Sequence, residues 1–92
     1  MNSKKGFTVL EIIIVAAFAS LAFILFFIQK SNEFKSSIWV EKNDRRINAK
    51  SLLGILSLGI IKGTQIKVIA DGVDEEAAVS SLINLIENEL TD

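Results

Sequence analysis

The sequence predicts an α+β protein in which a small domain of strands and helices follows a long hydrophobic N-terminal helix. Three observations predict it. From Ile12 to Ile28 the chain holds one polar side chain, Ser20, in 17 residues. Segments after Ser36 alternate apolar and polar residues with the period of two that a half-buried strand requires. Two later segments, opening at Ser51 and Asp74, set apolar residues at helical spacing behind side chains that cap helix N-termini.

The apolar run comes first. As a helix its 17 residues would be about 26 Å long, close to the ~30 Å hydrocarbon thickness of a bilayer. Twelve of them are Ile, Leu, Val or Phe, together worth about −4 to −7 kcal/mol of insertion free energy. Glu11 would cost about 2.5–3.5 kcal/mol at the bilayer centre but sits at the edge of the run. A core helix of a small domain usually keeps a polar face, and this run has none. The pattern therefore predicts a membrane helix through residues 7–28 and a second domain over residues 29–92.

Beyond it, Ser36 to Glu41 reads as a strand with Ile38 and Val40 on one face. Lys42, Asn43 and Asp44 read as a turn, and Arg45 to Ala49 as the returning strand of a hairpin. Ser51 then caps a short apolar helix, "LLGILSL", which ends near Gly59. Lys62 and Gly63 mark a break. Gln65 to Ala70 is a third strand, with Ile66, Val68 and Ala70 on one face. Asp71 and Gly72 form a turn, and Asp74 caps the last helix. Glu75 and Glu76 fall in that helix's first turn, where the dipole favours anions. Its apolar face is Ala78, Val79, Leu82, Ile83, Ile86 and Leu90.

Composition narrows the chemistry. The chain has no Cys, which excludes disulfides and thiolate chemistry, and no His, which excludes imidazole catalysis and phosphohistidine. No metal site or cofactor is indicated, and no enzyme activity. A net charge of −1 gives no pull towards nucleic acid. The charge is uneven, since from Asp71 to the end there are seven acids and no Lys or Arg.

Two stretches resemble known families. "VEKNDRRINAKSLLGILSLGI", "KGTQIKVIADG" and "DEEAAV" resemble HPr, the phosphocarrier of the bacterial phosphoenolpyruvate:sugar phosphotransferase system, over about residues 29–90. The resemblance implies an open-faced sandwich: a four-stranded antiparallel sheet covered on one face by three helices. It also implies a loop whose histidine carries phosphate, followed by an arginine. Counted back from Phe34 without gaps, Ser20 falls at the histidine slot and Ala22 at the arginine slot. Neither side chain can do that work, because phosphohistidine needs an imidazole nitrogen and a cationic or helix N-terminal cradle. A second family feature is retained. Ser51 in "AKSLLG" matches the serine that HPr kinase/phosphorylase modifies. Lys50, Leu52, Leu53, Leu56 and Leu58 match the surface beside it that meets partners such as the catabolite control protein.

The N-terminal "KKGFTVLE" resembles the leader of type IV pilins and pseudopilins. That resemblance implies cleavage after Gly6, Phe7 as the new N-terminus, and Glu11 as the carboxylate that pairs with a neighbouring subunit's terminal amine. Three readings follow. The favoured one is an HPr-like regulatory or protein-binding module on a membrane helix, lacking the family's first strand and active-site loop. The second is a pilin-like subunit with an HPr-like head. The third is a whole-chain, soluble, degenerate HPr, with "FTVL" as first strand and Ala22 to Phe34 as first helix. Lys30, Lys35, Lys42, Arg45 and Arg46 after the run outnumber Lys4 and Lys5 before it, which favours a cytoplasmic C-terminal domain.

Overall fold

A computed structural model describes residues 9–15, 21–59 and 64–90. Their order is β1 (Val9–Val15), α1 (Leu21–Ser31), β2 (Ser37–Lys42), β3 (Arg45–Asn48), α2 (Leu52–Leu58), β4 (Gln65–Asp71) and α3 (Glu75–Leu90). The strands form one sheet in the order β1-β4-β2-β3, and each neighbouring pair is antiparallel.

The expected helix over the apolar run is corrected by this arrangement. Val9–Val15 is an edge strand paired to β4, and α1 starts only at Leu21. Among the described residues no helix is long and apolar enough to cross a membrane. The consecutive β-branched residues Ile12, Ile13, Ile14 and Val15 suit a strand. Register with β4 settles their faces: Leu10, Ile12 and Ile14 oppose Ala70, Val68 and Ile66, while Val9, Glu11 and Ile13 share the other face. Residues 9–15 thus supply the first strand of the sheet, and the boundary drawn after residue 28 falls inside α1. The strand-then-helix arrangement of the third reading is the one observed, with the strand running on to Val15.

The helices cover one face of the sheet. Ile38 and Val40 of β2 and Ile66, Val68 and Ala70 of β4 are buried in one cluster with Phe23 and Phe27 of α1, Ile55 and Leu58 of α2, and Ala78, Val79, Leu82 and Ile86 of α3. The opposite face stays open. There Glu11 pairs with Lys67 at 3.3 Å, Arg46 pairs with Glu41 at 3.2 Å, and the Arg46 guanidinium lies 5.8 Å from the centre of the Trp39 ring. Ile69 also points to this face, yet it is fully buried, because its cross-strand neighbours are Glu11 and Trp39.

The connections follow local chemistry. Asn43 takes a left-handed backbone (φ 56°) in the β2–β3 turn, a conformation that asparagine tolerates. Gly59 ends α2 with φ 65°, and its N–H bonds the Leu56 carbonyl at 3.3 Å. Lys42 and Arg45, on the hairpin, donate to the carbonyls of Ser57, Leu58 and Gly59 at the C-terminal end of α2. The entry to α3 departs from expectation. The carboxylate of Asp74, the predicted cap, accepts the backbone N–H groups of Lys35 at 2.8 Å and Ser36 at 2.9 Å, and the Ser36 hydroxyl as well. Closure of the first turn falls to Glu75, which accepts the Gly72 N–H at 3.0 Å while its own N–H bonds the Gly72 carbonyl at 3.2 Å.

Candidate regulatory serine and docking surface

Ser51 stands immediately before α2 with an extended backbone (φ −108°, ψ 120°), and its Oγ accepts the Gly54 N–H at 3.1 Å. This is N-cap geometry, and it leaves the serine half-buried. Two bonds hold the residue before it. The Lys50 N–H donates to Asn48 Oδ1 at 2.8 Å, and Lys50 Nζ donates to the Phe34 carbonyl at 2.8 Å. The Lys50 ammonium is therefore tied to the α1–β2 loop.

The leucines after Ser51 divide between surface and core. Leu53 is 79% exposed, and Leu52 and Leu56 are also exposed. Leu58 is only 5% exposed and sits in the core with Ile55, where a partner cannot reach it. Sequence reasoning missed an adjoining feature. The outer face of α1 carries Leu21, Leu25 and Phe26, the last 62% exposed, and α1 contacts α2. A signal for it did exist: a surface helix with no charged residue until Lys30 has to expose apolar side chains.

At the position expected for phosphate transfer, Ser20 lies outside the described residues. Ala22, at the arginine slot, is an exposed residue in the first turn of α1 and offers no charge. Gly6 and Phe7 lie outside the described residues too. Glu11 is in β1, and its carboxylate is engaged by Lys67 within the same chain. Among the described residues no cluster of acidic side chains could hold a metal ion.

One carboxylate is held well away from its ordinary acidity. Asp74 is lowered from 3.8 to about 2, first by the Ser36 hydroxyl and then by the Lys35 N–H, both of which favour the charged form. Its work is structural, since it joins the α1–β2 loop to the start of α3.

A sheet ordered β1-β4-β2-β3, three helices on one face and a serine-capped α2 together define the HPr-type open-faced sandwich. The comparisons agree. The family model described as "PTS HPr component phosphorylation site" matches residues 25–88. The phosphocarrier protein HPr of Neisseria meningitidis serogroup A is 47% identical over 60 residues, which are 65% of this chain and 67% of that protein. The crystal structure of HPr-C-His from Thermoanaerobacter tengcongensis superposes with a TM-score of 0.81 at 37% identity, covering 89% of this chain and 96% of that one. The crystal structure of Crh, described as a Bacillus subtilis catabolite repression protein in a domain-swapped dimer, gives a TM-score of 0.71 at 30% identity, covering 96% and 95% of the two chains. The chain belongs to the HPr family. Proteins of this family are phosphocarriers and not enzymes.

Proposed function

We propose that this chain is a regulatory or protein-binding member of the HPr family and not an active phosphocarrier of the sugar phosphotransferase system. One observation carries the reading: the 92 residues include no histidine. Without an imidazole nitrogen the chain has no nucleophile of the type that phosphoenolpyruvate-driven relay needs. Ala22 in the first turn of α1 adds no cation that would hold a phosphate there.

Ser51 is the proposed regulatory site. Its hydroxyl is half-buried at the rim, ahead of the exposed Leu52 and Leu53, so a phosphate there would add nearly two negative charges beside an apolar docking surface. By family resemblance the modifying enzyme is HPr kinase/phosphorylase and the reader is the catabolite control protein. Leu52, Leu53 and Leu56 supply the contact area. Such partners place the protein in the cytoplasm. Two incubations test the reading by mass spectrometry of the whole chain. With the kinase and ATP, one phosphate is expected, on Ser51. With phosphoenolpyruvate and enzyme I, none is expected, and a phosphate acquired in that arm overturns the reading.

A further inference from the structure

The open side of the sheet ends in a polar recess that, Lys50 apart, shares no residue with the docking surface beside Ser51. It lies where β2 begins and where the chain leaves β3, encloses about 160 Å3, and is lined by Lys35, Ser37, Trp39, Asn48 and Lys50 among others. Strand geometry brings three of these together. Trp39 is the cross-strand partner of Asn48, and Ser37, two residues earlier on β2, shares the Trp39 face.

Of the lining residues, Lys35, Ser37, Trp39, Asn48 and Lys50 carry side-chain hydrogen-bond donors, while Ile38 is apolar and the Ser36 hydroxyl is spent on Asp74. Asn48 Oδ1 already accepts the Lys50 N–H, which leaves the side-chain NH2 as the group it can offer a ligand. Lys50 Nζ has three protons and bonds the Phe34 carbonyl, so it keeps donors to spare. Among the described residues the ion pairs are Lys30–Glu33, Arg46–Glu41 and Lys67–Glu11, so neither Lys35 nor Lys50 is matched by a carboxylate. No acidic side chain lines the recess. Asp74, which accepts the backbone N–H of Lys35, is bonded to three donors of the α1–β2 loop.

We infer that this recess binds a phosphate group. Lys35 and Lys50, neither matched by a carboxylate, line it and bring positive charge, and Ser37 and Asn48 bring neutral donors to a concavity of the right scale. Trp39 also lines the recess, and its ring, with the Arg46 guanidinium 5.8 Å from its centre, sets an aromatic group beside the phosphate of an ester ligand.

Trp39 is the only tryptophan in the chain, so its emission reports the recess directly. The full chain is titrated with inorganic phosphate, and separately with adenosine 5′-monophosphate, at ionic strength held constant with NaCl. A saturable change in emission is expected. The apparent Kd should rise at least tenfold in Lys35→Ala and in Lys50→Ala and stay unchanged in Lys30→Ala. Lys35→Ala is the cleaner variant, because Lys50→Ala also removes the bond to Phe34. Tighter binding of the nucleotide assigns the site to a phosphate ester; equal binding assigns it to free phosphate. The inference is overturned by no saturable change with either ligand, by the same change with NaCl alone, or by wild-type affinity in Lys35→Ala.

Discussion

The carboxylate of Asp74 accepts the backbone N–H of Ser36 across 38 residues of sequence. The bond ties the loop that follows α1 to the residue before α3, and the Ser36 hydroxyl and Lys35 N–H complete it. Its folded-state pKa of about 2 lies below the ordinary 3.8. These bonds therefore stabilise the fold fully above about pH 4, and that contribution is lost as pH falls towards about 2. Asp74→Asn is expected to lower the urea midpoint at pH 7 and to flatten the fall in stability between pH 4 and 2. An equally steep acid profile in the variant would contradict this account.

Gly72 sits against the same loop. A Cβ on it would lie 2.7 Å from the Ser36 Cα, and its φ of 157° is one that side-chain-bearing residues rarely adopt. Gly72→Ala should cost about 1–3 kcal/mol, read as a lower Tm. A Tm equal to wild type would show that the loop moves aside freely.

Surface and core apolar residues should separate cleanly on mutation. Phe27 is fully buried in the central cluster, and Phe27→Ala should cost about 3–5 kcal/mol. For a domain of this size that is a large share of total stability. Leu53→Ala, at an exposed site, should stay within about 0.5 kcal/mol and yet, if the proposed docking surface is right, weaken any binding of the catabolite control protein. Equal stability losses in both variants would mean that Leu53 is part of the core.

Ser51 has a capping role whether or not it is modified. Ser51→Ala loses the acceptor for the Gly54 N–H and should cost about 1 kcal/mol, whereas Ser51→Asp keeps an acceptor and should cost less. Chemical denaturation of the two variants distinguishes them. If the order were reversed, the hydroxyl would not be the cap.

The parts of the fold legible in the sequence are those with one wet face and one dry face. β2, β3, β4 and α3 alternate, or repeat at helical spacing, because half of each is solvated. Ser51 and Gly59 mark the two ends of α2 by local chemistry alone. β1 and α1 could be placed only through the family resemblance of the third reading and not from periodicity, for a physical reason. Val9 and Ile13 face the open side of the sheet, and Leu21, Leu25 and Phe26 face outward from α1, so neither element shows polarity with its own period. With periodicity erased, length and hydropathy pointed to a membrane helix. Asp74 shows a different limit. Its local context is that of a cap, but its partners are in a loop that no short-range pattern could name. Within the candidate site, Ser51 could be read from its motif, while the burial of Leu58 among exposed leucines required the packing.

The pairing of the first strand with the last has a consequence for biosynthesis. Val9 meets Asp71, so β1 has no sheet to join until the chain as far as β4 has left the ribosome. At on the order of 5–20 residues per second, its greasiest stretch emerges several seconds before that mate. During the wait, chaperone shelter or clumping with sister nascent chains decides the yield, and slowing translation upstream of β4 should favour the second outcome.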